Sequence, residues 1–326
     1  MRINQSKKDK HQLSTVHYVQ VDPEYSGQRI DNFLIRHLKT LPKSRIYRLL
    51  RKGEVRVNKK RIDASYRLIE GDRIRIPPLY LAEQAKKVPP AQSTIQKLAE
   101  RILYEDDELL VINKPSGMSV HAGQSVRIGI IEALRHLYPK HPHLELAHRL
   151  DSETSGCLVI AKKRRVLREI HALLREGKVK KTYLALTKGA WKQKITRVDL
   201  PLRKIYREKG HTVLVQQDGK SALTEFHVLK QFNTAALLEV HLFTGRTHQI
   251  RVHAQAQGHP IAGDERYGDK NFNQVLNGLG LKRLFLHASQ IEFELQTGGR
   301  HIKVSAPLEV DLTSVLNNLG TDLHEK

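Results

Sequence analysis

One cysteine, Cys157, is all that 326 residues contain. That excludes an internal disulfide framework and any cysteine-rich zinc site, and it fits a reducing compartment. No apolar run approaches the roughly 20 residues a membrane-spanning helix needs, and no strongly amphipathic terminal helix offers a membrane-surface alternative. The opening MRINQSKKDK has basic residues with no apolar stretch behind them, unlike a secretory signal. The expected setting is the cytoplasm, with no membrane partner. Acidic residues are also scarce. Against 56 Lys and Arg there are 34 Asp and Glu, a net +22 and a pI near 10.0. Such a field draws in polyanions, and nucleic acid is the expected partner.

Several catalytic signatures are missing. Without a GxxxxGK[ST] loop, a helicase or GTPase is disfavoured. HRLD at 148–151 stands without a DFG or a glycine-rich loop, so it does not make a kinase. The zinc deaminases need cysteine ligands that are absent here. The 18 histidines include THQIRVH, but no HExxH and no neighbouring carboxylate cluster, so no metal is expected. A methyltransferase stays open, because its cofactor loop can be degenerate.

What is present begins with a cationic block. Residues 27–76 hold 15 Lys and Arg against 5 Asp and Glu, a net +10. In GQRIDNFLIRHL, Ile30, Phe33, Leu34 and Leu38 recur at helical spacing. A second helix is expected from Pro42 or Ser44 to Gly53, with Ile46, Leu49 and Leu50 inward. Lys43, Arg45, Arg48, Arg51 and Lys52 are left for its outer surface. EVRVN and DRIRIPP alternate apolar and basic residues and read as short strands, with turns at Asn58-Lys59-Lys60 and Glu70-Gly71-Asp72. Charge of one sign on successive elements of one small unit favours nucleic-acid binding over a merely solvated face, with Lys43, Arg45, Arg48, Lys52, Lys59 and Lys60 as contacts. Residues 31–62 resemble the ribosomal-protein-S-four-like (alpha-L) RNA-binding domain, which implies structured RNA as the ligand.

The expected organisation is a basic tail at 1–15, this module at 16–78, a linker at 79–98 around Pro89-Pro90, and a larger domain at 99–326. In the last, ELLVINKP, TYLALTKGAW, TEFHVLKQF and AALLEVHLFTG read as strands and residues 163–175 as a helix. Strands mixed with helices, without regular βαβ alternation, suggest an α+β fold with a mixed, largely antiparallel sheet.

Four segments concentrate chemistry. Taken alone, Asp151 in HRLDSETSG favours a helix cap or an ion pair over catalysis. Tyr183 in KKTYLAL alone is a core tyrosine. FTGRTHQIRVH clusters Arg246, His248, Gln249, Arg251 and His253 after a glycine turn, which suits phosphate or carboxylate contact. RLFLHA reads as a packed strand. In this order, HRLD with TSG, K-x-Y, TGRTHQIR and RLFLHA resemble the RluA-type pseudouridine synthases. EDDELLVINKPSGMSVH before them and GHPIAGDERYG after the third extend the match over nearly the whole chain.

The resemblance implies a pseudouridine synthase fold behind the alpha-L module, an rRNA or pre-ribosomal substrate, and isomerisation of large-subunit uridines without a cofactor. It implies Asp151, Tyr183 and Arg246 as the catalytic set, with Arg246 pairing with Asp151 to keep it ionised. Asp151 would attack the sugar or remove a ribose proton; Tyr183 would stack on the extruded uracil. His148, Arg149, His248 and Arg251 would hold the RNA. A monomer is expected. A non-catalytic ribosome-assembly factor, and a synthase acting on other rRNA or tRNA sites, remain alternatives.

Overall fold

The computed structural model describes residues 10–13, 15–82, 89–122, 128–207, 210–296 and 298–321. They belong to two compact units, residues 1–89 and 90–326.

In the first unit β1 (Lys10–Leu13) and β2 (His17–Gln20) precede α1 (Ile30–His37) and α2 (Lys43–Arg51), followed by β3 (Arg56–Val57), β4 (Arg73–Ile76) and β5 (Leu79–Ala82). The strands β2, β4 and β3 form an antiparallel sheet in that order. Ile30, Phe33, Leu34 and Leu38 from one stripe, with Ile46, Leu49 and Leu50 from the other, are buried against Ile74 and Ile76. Each such side chain contributes about 1.5–3 kcal/mol on leaving water. After α2 the chain turns at Gly53, whose φ of +67° is a conformation a side chain resists. Lys43, Arg45, Arg48, Lys52, Lys59 and Lys60 are exposed.

Two segments expected to be irregular carry structure. Residues 10–13, placed in the tail, pair antiparallel with residues 79–82, placed in the linker, and residues 92–99 are helical. A four-residue strand is too short to show a period. This one is fixed by backbone bonds to a partner nearly seventy positions away, which no local pattern announces. Residues 83–88 of the expected linker lie outside the described residues.

The second unit opens with α3 (Gln92–Ala99), β6 (Ile102–Glu105), β7 (Leu109–Lys114), α4 (Ile130–Leu137), β8 (Glu145–Leu146), β9 (Ser155–Ala161) and α5 (Arg164–Arg175). There follow β10 (Lys180–Lys188), β11 (Ile195–Asp199), β12 (Leu202–Arg207), β13 (Gly210–Val215), β14 (Leu223–Gln231) and β15 (Ala235–Leu242). It ends with α6 (Gln249–Ala256), α7 (Lys270–Gly278), β16 (Leu286–Leu295), β17 (Arg300–Ser305) and α8 (Val310–Thr321). The main sheet runs β11-β14-β15-β10-β16-β9-β7-β6, with β17 on β16 and β8 on β9. Among the described residues only the β9–β16 pairing is parallel; β12 and β13 form a separate hairpin. This is the mixed, largely antiparallel sheet of an α+β fold. Period-2 alternation divides β9 between two cores: Leu158 and Ile160 pack in one with Ile131 and Leu134 of α4, Cys157 and Val159 in the other with Val166 and Ile170 of α5. No helix of the described residues is long and apolar enough to cross a membrane.

The parallel joint depends on Gly156. Its φ is +109°, and a Cβ there would lie 2.2 Å from the Ala288 carbonyl oxygen. Gly156→Ala is expected to lower unfolding stability by about 3 kcal/mol, combining left-handed strain with forced separation of β9 and β16. Urea unfolding measures it; a loss below about 1 kcal/mol would contradict this close approach.

Candidate active site

The turn between β8 and β9 carries Asp151, and hydrogen bonds tie it to the end of β7. Lys114 Nζ donates to the carbonyls of Ser152 and Pro115, both at 2.8 Å. Gly117 N donates to Ser152 O at 2.8 Å, and Ser116 Oγ to Glu153 O at 2.7 Å. Lys114 is fully buried. Burial pushes its pKa down to about 7, with the Asp151 charge opposing. Sequence reasoning missed this residue, although a lysine closing a short strand that opens with four apolar residues is itself a signal that something polar meets it.

The opposite wall is the turn from β15 into α6, organised by buried Gln249. Its Oε1 accepts from Thr244 Oγ1 (2.8 Å) and Arg246 N (3.0 Å), while Nε2 donates to Leu223 O and Thr224 Oγ1. His248 precedes the helix in a left-handed conformation, φ +54°. The two turns enclose a cavity of about 100 Å³ lined by Asp151, Tyr183, Arg246, His248, Arg251 and Leu286. It adjoins a wider cleft of about 620 Å³ that shares Asp151 and includes Arg149.

Within the cavity the guanidinium nearest Asp151 belongs to Arg251, with Nη1 3.9 Å from Oδ2; His248 Nε2 is 3.8 Å from the same oxygen. Arg251 is held from behind by Asp264 through Nε (2.6 Å) and Nη2 (2.8 Å). Asp264 is 1 % exposed and also accepts from the amides of Arg266 and Tyr267. Burial opposes the Arg251 charge, but the Asp264 bonds outweigh it and raise the arginine's pKa. Burial likewise opposes ionisation of Asp264, and Arg251 nonetheless pulls that carboxyl below its usual range. Burial lowers the pKa of His248, Asp151 opposing, so the ring is neutral at pH 7.

Tyr183 reaches the cavity from β10 at a point where the register with β16 skips, between Thr182 and Leu184, as irregularities beside active sites often do. Burial, then the Asp151 charge, push its phenol pKa up, so it keeps its proton at neutral pH.

The roles read from the motifs for four residues change. The expected Arg246–Asp151 pair gives way to Arg251, because Arg246 Nε donates to Ser221 O at 3.0 Å and its side chain lies toward solvent. Arg251 and His248, expected as RNA contacts, are turned inward by the start of α6. His148 is no free contact either: its Nε2 accepts from Val159 N at 3.1 Å, and burial, then Lys181, push its pKa to about 4. Arg149 stands at the rim of the cleft. In the first unit, Arg45 and Arg48 line a groove with Ser44 and Pro78. Among the described residues no group of three or more His, Cys, Asp or Glu side chains is placed to hold a metal ion.

A carboxylate facing a small cavity, beside a pinned guanidinium and a neutral phenol, suits attack on, or proton removal from, a sugar whose base departs. Fold and site together are those of an RNA-modifying isomerase, and the chain belongs to the RNA pseudouridylate synthase family. Residues 108–256 match the family model described as RNA pseudouridylate synthase, and residues 28–74 match the S4 domain. It is 48 % identical over 306 residues to ribosomal large subunit pseudouridine synthase C of Vibrio parahaemolyticus, covering 93 % of this chain and 96 % of that one. Against the protein of the same name from Escherichia coli K12 it is 48 % identical over 314 residues, covering 95 % and 98 %. Among solved structures it is similar to human RNA pseudouridylate synthase domain containing 4, with a TM-score of 0.59 and 28 % identity over 70 % of this chain and 96 % of that one.

Proposed function

We propose that the protein converts uridines of large-subunit ribosomal RNA to pseudouridine, with Asp151 as the reacting carboxylate. The observation carrying this reading is the placement of Asp151 within 4 Å of Arg251 and His248, in a cavity walled by Tyr183. The relatives' names supply the substrate class. The N1–C1′ bond breaks, the uracil turns, and C5 bonds to C1′; the C5 proton passes to solvent and N1 regains one. No net oxidation occurs, so the reading needs no cofactor. Asp151 acts at the ribose, by attack on C1′ or removal of a ribose proton. Tyr183 stacks on the extruded uracil, and Arg246 and Arg149 meet the strand at the rim. The base must leave its stack at a cost of a few kcal/mol, which favours an unpaired loop or bulge as target. The reading includes a monomer acting in the cytoplasm on rRNA or a pre-ribosomal particle.

Release of tritium from rRNA labelled at uridine C5, with no cofactor added, tests it. Binding without release would leave only an RNA-binding assembly factor, and release dependent on S-adenosylmethionine would indicate a methyltransferase. Lys43, Arg45, Arg48, Lys52, Lys59 and Lys60 form the phosphate-binding face of the first unit in this reading. Deleting residues 1–89 is therefore expected to weaken rRNA binding and to flatten its log–log salt dependence by roughly 0.7–0.9 for each phosphate no longer neutralised. A filter-binding titration with unchanged slope would remove that face from the RNA.

A further inference from the structure

The β12–β13 hairpin brings to the mouth of the cleft a side chain that the isomerisation leaves unused. His211 lines the wider cleft with Arg149, Asp151, His248 and Arg266. Its ring stacks on that of His248, 5.4 Å between centroids and 18° between planes. The hairpin is fastened there twice. Arg266 Nη1 donates to the His211 carbonyl at 2.8 Å, and Val213 N donates to the Tyr267 hydroxyl at 3.0 Å, which also bonds His248 Nδ1. Yet His211 Nε2 is enclosed and, among the described residues, has no hydrogen-bond partner. A buried ring nitrogen is seldom left unsatisfied, and such an exception calls for a missing partner.

The surroundings select that partner's charge. Lys204 from the hairpin, Arg266 from the segment after α6 and Arg149 from the catalytic turn all act on His211, with Asp151 the opposing anion. Tyr206 on the same hairpin is 77 % exposed, and Lys204 Nζ lies 5.1 Å from its ring centre, extending the cationic surface outward. His211 does not line the inner cavity beside Tyr183 and Leu286, so its ligand sits outside the base pocket.

We infer that His211, its ring turning within the stack on His248 to bring Nε2 to the cleft, joins Arg149 and Arg266 in binding a non-bridging oxygen of a phosphodiester flanking the extruded uridine. This rests on the proposed function and adds a phosphate subsite to it. Burial, then Lys204, Arg266 and Arg149, lower the pKa of His211 in the free protein. An arriving phosphate supplies the missing acceptor and favours the imidazolium, so RNA binding takes up a proton and tightens as pH falls.

The test is steady-state kinetics on an rRNA fragment tritiated at uridine C5, using the parent, His211→Phe and His211→Gln. Phe keeps a ring to stack on His248 but has no nitrogen; Gln restores an N–H, and serves as the second variant should Phe lower the melting temperature. The expected result is a roughly five- to tenfold rise in KM for Phe, the loss of one charge-assisted hydrogen bond, with partial recovery in Gln. Replacing one of the two flanking phosphates by a methylphosphonate should raise the parent KM similarly and add nothing further in the Phe variant, as coupled partners require. The parent KM should fall from about pH 8 to about pH 6 more steeply than that of His211→Phe. A KM for Phe within twofold of the parent, or fully additive losses with both methylphosphonates, overturns the subsite. A loss confined to kcat also overturns it, by placing His211 in the chemistry. A parent that releases no tritium overturns the isomerase reading itself, a result distinct from an active parent indifferent to position 211.

Discussion

Asp151→Asn is expected to lose pseudouridine formation by a factor of about 10⁴ or more, equivalent to about 5.5 kcal/mol of transition-state stabilisation, while binding rRNA within a few-fold of the parent. Asparagine matches the aspartate in shape but neither attacks a sugar carbon nor takes a ribose proton. The fold should tolerate it. The turn is held by the backbone of Asp151, whose carbonyl accepts from Thr154 N at 3.2 Å, and by the Lys114 bonds to Ser152 and Pro115. Arg251 keeps Asp264 as its partner. Affinity for a polyanion should not suffer from deleting a negative charge. Tritium release and filter binding measure the two effects separately. Turnover within tenfold of the parent would remove Asp151 from the reaction.

Arg251 should show the second large effect, in a different currency for each variant. Arg251→Leu leaves Asp264, 1 % exposed, as an unpaired buried carboxylate, and about 3–5 kcal/mol of stability should go with it. Arg251→Lys returns the charge but not the planar fork. One ammonium cannot bond Asp264 twice and also face Asp151, so stability should recover in part while kcat stays down by about two orders of magnitude. Acid sharpens the test. Because the folded pKa of Asp264 lies below its ordinary value, the pair's contribution is complete above that ordinary value, near pH 4, and is lost as pH falls through the folded pKa. The stability gap between parent and Leu variant should therefore narrow in acid. Melting curves at several pH values measure this; a gap independent of pH would mean the loss does not come from the ionised Arg251–Asp264 pair.

Much of this is legible in the sequence, for physical reasons that vary by element. The strand at 109–114 packs apolar residues into two cores, and those at 180–188, 223–231 and 235–242 send apolar side chains into at least one; burial of that kind leaves its mark on composition. The strands at 202–207 and 210–215 are not: in LRKIYR and GHTVLV like residues stand side by side and break the period of two, and these two strands pair with each other and with no other strand of the described residues. The pairing of 10–13 with 79–82 is non-local and written in backbone bonds alone. At the site, motif order placed Asp151 and Tyr183 at one cavity. The choice between two arginines five positions apart does not follow from spacing. It depends on where α6 begins, since Gln249 as first helical residue turns Arg251 inward and leaves Arg246 in the preceding turn. The carboxylate that fixes Arg251 lies thirteen positions on, in a turn of irregular backbone, beyond any helical periodicity.

The double anchorage of Arg251 on Asp264 has a bearing on how the enzyme works amid its own substrate. A loose guanidinium in a groove flooded with RNA would swing to whichever phosphodiester came nearest, and the aim of Asp151, the proposed reacting carboxylate, would then drift with each docking pose. Tethered by two bonds to an anion that water hardly reaches, it is deaf to that competition. In the proposed reading the rim cations hold phosphates while the centre keeps one alignment, so grip and aim are insulated from each other.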